Sequence, residues 1–318
     1  MQQAKSKASP LKRFAPLIVC VLLAIAGYLL YRALGQYDFA EVAQSVRDMP
    51  AWRLGLAALF AAGSYVALTG FDTLAVRYLG KDLAYPKIAL ASFTSLSIGH
   101  TLGMAAVSSG ALRYRFYSRW GFSTEDVAKL VLFCGMTVGL GLITLGGVAL
   151  LINPKLAAEL TRLSQPLVIA LGLGCLALPA LYLLAAVRVT GTLTLWRWSF
   201  EMPDWKIAAL QLVVGPVNFA LVAASLHQAL LAIADVPYVT AATGYVIANF
   251  GALVSHVPGG LGVIESILIF LLPSANILGA LLVFRFVYYL APLMLGGLTL
   301  ALSELVLRRQ AQPAAAGD

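Results

Sequence analysis

Eight stretches of this sequence run for about twenty residues or more with few or no charges, and no other feature restricts its fold as strongly. They cover roughly residues 14–34, 52–76, 88–112, 127–152, 166–187, 207–233, 239–273 and 277–305. A water-facing globule cannot hide so much apolar side chain. Only 11% of the residues are charged, against about 25% in a soluble domain. Hydrophobic residues make up 60%, and mean hydropathy is +0.86. The expected fold is therefore an all-α polytopic membrane protein, because a helix satisfies its own backbone within lipid.

Residues 14–305 read as one transmembrane domain, with a cytoplasmic tail over 1–13 and a Pro/Ala-rich disordered cytoplasmic tail over 306–318. Lys12-Arg13 and the apolar run behind them imitate a signal peptide, but the run continues to about Leu34, the length of an anchor. Segment 39–47 is a short amphipathic stretch suited to the outer surface.

Loop charges test how many segments cross. If all eight do, the cluster Arg113, Arg115 and Arg119 faces outward and the inside bias is weak. If segments 88–112 and 239–273 instead leave on the side they entered, sixteen of the 22 basic residues fall inside, five outside, and Arg285 lies in the membrane. The positive-inside rule favours that second arrangement: six spans and two re-entrant hairpins, with both termini cytoplasmic. Length agrees, since 239–273 is too long for one span and too short for two with a turn. Its turn would be Pro258-Gly259-Gly260 with Gly262 just beyond, where proline stops the first arm and glycine frees φ. The halves 14–152 and 166–305 are then inverted copies, the layout of many secondary transporters. "SIGHTLGM" at Ser97–Met104 echoes "LVSHVPGG" at Leu253–Gly260, with His100 opposite His256.

Several function classes drop out. The net charge of +8 sits beside membrane spans, so it is read as topology and not as a nucleic-acid footprint. Cys20, Cys134 and Cys175 lie in apolar runs without metal or redox spacing, so no metal, cofactor or disulfide is expected. HExxH, GxSxG and P-loop patterns are all missing, and the scattered ionisable groups argue against an enzyme.

Ionisable groups inside the membrane are functional candidates, because burying one costs several kcal/mol unless it is paired or wet. Glu265 on the second arm of the second hairpin and Arg285 in the last span invite pairing, either as a structural lock or as a lining that meets a polar headgroup. Asp72 and Arg77 read as a helix-end pair, and Arg113 lies where the first hairpin returns. His100 and His256, near the hairpin tips, would bond the partner arm's backbone or relay a proton. His227 reads as a packed residue. Tyr288-Tyr289 and Pro292 interrupt the last span and suggest a kink or cavity wall.

The motifs "VSHVPGGLGVIES", "VFRFVYYLAP", "SSGALRYRFY" and "FDTLAVRYLGK" together resemble the transmembrane flippase region of lysylphosphatidylglycerol synthases (MprF) and the single-domain YbhN-type bacterial inner-membrane proteins. The resemblance covers about residues 14–305. It implies a multi-pass lipid translocase of the bacterial inner (plasma) membrane, and its site would fall on Asp72, Arg77, Arg113, Pro258, Gly259, Gly260, Gly262, Glu265, Arg285, Tyr288 and Pro292. The family often has Asp where this chain has Glu265. No synthase domain follows residue 305, so the lipid stays open. The implied partner is a membrane phospholipid, with a second copy of the chain (a homo-oligomer) or a separate lipid-synthesising enzyme as further candidates. Two other readings stay open: a proton- or ion-coupled transporter of a small amphiphile, and a non-transporting scaffold for an envelope enzyme.

Overall fold

The computed structural model describes residues 39–102, 105–189, 191–195, 198–255, 262–272 and 277–311. The first apolar segment, Cys20 and the turn residues His256, Pro258, Gly259 and Gly260 lie outside the described residues.

Helix α1 (Phe39–Asp48) precedes the long α2 (Ala51–Tyr78), then α3 (Tyr85–Leu102), α4 (Ala105–Tyr117) and α5 (Thr124–Ile152). Helices α6 (Pro154–Thr161) and α7 (Gln165–Arg188) lead to a two-stranded antiparallel ribbon, β1 (Thr192–Leu195) and β2 (Trp198–Glu201). The second half continues through α8 (Trp205–Leu230), α9 (Tyr238–Ser255), α10 (Val263–Leu271), α11 (Leu278–Arg285), a π-helical turn (Phe286–Leu290) and α12 (Ala291–Ala311). Among the described residues, five helical stretches are long and apolar enough to cross a membrane: 51–78, 124–152, 165–188, 205–230 and 278–305. The protein is thus a helical, membrane-embedded chain, as expected.

The segments expected at 88–112 and 239–273 are each two helices. Helices α3 and α4 run antiparallel, for a Cβ on Gly99 would lie 2.9 Å from the Ser109 Cβ. Helices α9 and α10 pair in the same way, Gly251 facing Val263 and Gly244 facing Leu268 and Leu271. The first pair is longer than the sequence suggested, reaching 85–117. Helix α10 has nine residues and is about 14 Å long, half of a bilayer core of about 30 Å.

Polar contacts gather the helix ends into two groups. Lys81 reaches Asp126 at 3.2 Å, Tyr85 meets Thr69 at 2.9 Å, and Arg115 pairs with Glu304. These contacts join the end of α2, both ends of the first hairpin, the start of α5 and the end of α12. Opposite them, Arg53 donates to Gln228 at 3.1 Å, and α1 packs on α11. The amphipathic stretch at 39–47 therefore has a protein surface to lie on. The first arm of each hairpin packs on the preceding helix of its own half and on the last span of the other half: α3 on α2 and α12, α9 on α8 and α5.

Helices α5 and α8 cross at Gly141 and Gly215, where a Cβ on Gly141 would stand 2.5 Å from the Gly215 carbonyl carbon. Lipid tails are as apolar as leucine, so such close backbone approach is a main source of cohesion between spans.

Three features were not legible. Helix α6 and the β-ribbon lie in stretches read as loop, and α12 runs on to Ala311 inside the tail expected to be disordered.

Candidate functional site

Helix α2 buries one face. Ala61, Ser64, Tyr65, Leu68, Phe71, Asp72 and Ala75 recur at three- and four-residue spacing and are all buried. Asp72 lies on that face and Arg77 does not: five residues at about 100° each put Arg77 roughly 140° away. Arg77 is exposed and makes no ion pair among the described residues. The expected Asp72–Arg77 pair is therefore corrected: the partner of Asp72 is Arg113. The Arg113 Nε donates to Asp72 Oδ2 at 3.0 Å and its terminal nitrogen to Oδ1 at 2.6 Å. Their side chains are 3% and 0% exposed, so the pair is closed off from its surroundings.

Three further residues complete this cluster. Tyr117 Oη donates to Asp72 Oδ2 at 3.0 Å, the Cys134 thiol approaches Oδ1 at 3.4 Å, and Arg113 also donates to Ser109 Oγ at 3.0 Å. The carboxylate thus takes two donors on each oxygen, a closed arrangement that ties α2, α4 and α5 together. Sequence reading missed Ser109, Tyr117 and Cys134. The first two carried a signal: Ser109, Arg113 and Tyr117 stand four apart and so form one stripe on a helix.

The second pair is the expected one. Arg285 Nε donates to Glu265 Oε1 at 2.7 Å and a terminal nitrogen donates to Oε2 at 3.0 Å. Glu265 is at the third position of α10 and reaches back to accept the Gly262 N–H at 2.8 Å, a helix-capping contact. Gly262 begins this helix at φ +79°, where a side chain would be strained. Glu265 and Arg285 are 14% and 7% exposed, more open than the first pair.

Between the two hairpins runs a row of aromatic rings. The Arg285 guanidinium lies 5.2 Å from the Tyr289 ring centre, Tyr289 is 5.1 Å from Tyr288, Tyr288 is 5.7 Å from Tyr65, and Tyr65 is 6.4 Å from His100. Residues near one hairpin tip and on the other hairpin's returning arm are thus linked through one continuous row. His100 Nδ1 is buried and has no hydrogen-bond partner among the described residues. Ser64 Oγ links Asn218 Oδ1 at 2.7 Å to Tyr288 Oη at 3.2 Å. The interruption expected near Tyr288 and Pro292 is the π turn Phe286–Leu290.

Helix α8 carries a second polar line that sequence reading passed over. Gln211, Asn218 and Ser225 stand seven apart, two helical turns, and all are buried. Gln211 bonds Thr137 at 2.7 Å and Tyr182 at 2.5 Å, and Ser225 donates to Ala57 O at 2.9 Å. His227 is packed as expected, its Nε2 2.8 Å from Val236 O. Among the described residues no group of three His, Cys, Asp or Glu could hold a metal ion.

Fold and site together define a polytopic helical membrane protein with two ion pairs built into its interior. Residues 18–296 match the family described as the lysylphosphatidylglycerol synthase TM region, and the chain belongs to that family. It is 31% identical to an uncharacterized protein of Synechocystis sp., over 87% of each chain. It is 29% identical to the inner membrane protein YbhN of Escherichia coli K12, over 91% of this chain and 92% of that one. A phosphatidylglycerol lysyltransferase of Staphylococcus aureus is 24% identical over 84% of this chain, which spans only 31% of that longer protein.

Proposed function

We propose that this protein moves a phospholipid headgroup across a bacterial inner (plasma) membrane while the acyl tails stay in the bilayer, with no covalent chemistry on the lipid. The observation that carries this reading is the Glu265–Arg285 pair. It joins a nine-residue hairpin arm to the interrupted last span, at the end of the aromatic row. The pair keeps some exposure, unlike the closed Asp72–Arg113 pair, so a charged headgroup can reach it. A phosphate can replace Glu265 on Arg285, and a headgroup amine can replace Arg285 on Glu265, each exchange keeping the charge paired. Two half-membrane hairpins, one entering from each side, would bring the headgroup path to mid-depth. The name of the Staphylococcus relative, phosphatidylglycerol lysyltransferase, favours a phosphatidylglycerol-type lipid.

Proteoliposomes with a fluorescent phosphatidylglycerol and an impermeant quencher test this. The expected result is quenching beyond the outer-leaflet half, slowed in Glu265→Gln and Arg285→Gln. Quenching equal to that of protein-free vesicles overturns it.

A further inference from the structure

The last span does not run as one α-helix. Helix α11 ends at Arg285, the next five residues form a π turn in which the Ala291 N–H bonds Phe286 O, and α12 follows. A π turn holds one residue more than an α turn, so it rotates the preceding helix by about 100° relative to the one that follows. Arg285 is the last residue before that rotation. Its direction, toward Glu265, therefore depends on the turn being present.

What keeps the turn is visible around Tyr288. In an α-helix the Tyr288 carbonyl would accept the N–H of residue 292, but residue 292 is proline and has none. Tyr65, on the buried face of α2, donates its hydroxyl to that carbonyl at 3.3 Å. The same side chain is held firmly in place, its ring edge-on to Phe93 at 5.4 Å and near Tyr288 at 5.7 Å. One residue earlier on α2, Ser64 holds the Tyr288 hydroxyl. Tyr288 is thus gripped at both its backbone and its side chain by consecutive residues of another span.

We infer that Tyr65 is a positioning residue: its hydroxyl takes the place of the N–H that Pro292 lacks, holds the last span in the π register, and so aims Arg285 at Glu265. The inference rests on the proposed role of that pair. It adds a residue outside the pair that sets the geometry of the site.

The test uses Tyr65→Phe, which removes only the hydroxyl, Pro292→Ala, which supplies the missing N–H, and the double variant. Amide hydrogen exchange over residues 286–293 is read in detergent, and lipid flipping is read in proteoliposomes. Tyr65→Phe should speed exchange in the turn, and Pro292→Ala should slow it by restoring an α-helical bond. Each single variant should slow flipping about tenfold, the effect of roughly 1.4 kcal/mol. The double variant should be no slower than Pro292→Ala, because both changes act on one carbonyl. A side chain that merely fills space would give losses that add. Unchanged exchange in both single variants, or additive losses, overturns the inference. If the wild type flips no lipid, the proposed function falls, and the exchange pattern alone then supports or overturns the latch.

Discussion

Asp72 and Arg113, 41 residues apart in sequence, are joined by two hydrogen bonds of 3.0 and 2.6 Å, and the carboxylate accepts two further donors from Tyr117 and Cys134. Nothing is left on that carboxylate for a ligand to take. Glu265 and Arg285 share the same two-pronged geometry but keep more exposure and stand at the end of a short arm. The first pair fastens the first hairpin to α2, and under the proposed function the second is the one that exchanges.

Removing one partner of the closed pair strands a buried charge. Asp72→Asn or Arg113→Met should each destabilise the protein by about 3–5 kcal/mol. Combining Asp72→Leu with Arg113→Met should recover most of the loss, since an apolar pair of similar volume is tolerated in place of a buried ion pair. Thermal unfolding in detergent, followed by tryptophan fluorescence, measures all three variants.

For the more open pair the order reverses. Glu265→Gln should slow lipid flipping about tenfold or more, equivalent to roughly 1.4 kcal/mol. Its unfolding temperature should fall less than that of Asp72→Asn, because Glu265 is 14% exposed and Asp72 is fully buried. Flipping and unfolding measured on the same preparations separate the two roles. Equal stability losses with unchanged flipping would make Glu265 a structural lock.

The spans, the paired α3–α4 and α9–α10 helices and the Glu265–Arg285 contact were legible because each leaves a one-dimensional trace: apolar length, a Gly-rich break, a charge where lipid forbids one. The partner of Asp72 was not. Arg77 is nearer in sequence, and only the helical phase of α2 together with the fold of α3 on α4 brings Arg113 to it instead. The Tyr65 contact to Tyr288 O was equally hidden, since tertiary packing chooses which span supplies a missing donor. Ser109, Arg113 and Tyr117 did carry a helical spacing, and Gln211, Asn218 and Ser225 another. Those are the patterns a closer reading of the same residues would have found.

Glu304 accepts from Arg115 and Arg119, fastening the last span to the returning end of the first hairpin. This network is partly exposed, with Glu304 18% and Arg119 35% open. Exposed pairs contribute about 0–1 kcal/mol and are screened by salt. Glu304→Gln should therefore lower the unfolding temperature slightly in low salt, and the difference from wild type should vanish near molar salt.

Chemical labelling tests the path of the hairpins. The Lys87 ammonium, at the start of α3, lies 6.0 Å from the Trp120 ring just beyond the end of α4, so the two ends of the first hairpin lie close together. Asp235 follows α8, whose end at Gln228 meets Arg53, and Leu278 begins α11, which packs on α1; both residues are exposed. Single cysteines at these positions, with Cys20 and Cys175 replaced and the buried Cys134 kept, can be probed with an impermeant maleimide. Lys87→Cys and Arg119→Cys should label only from the cytoplasmic side, and Asp235→Cys and Leu278→Cys only from the outer side. Labelling of Lys87→Cys and Arg119→Cys from opposite sides would mean that the first hairpin crosses fully. The charge argument would then fail with it, because Arg115, Arg119 and Lys129 count as inside only if that hairpin turns back.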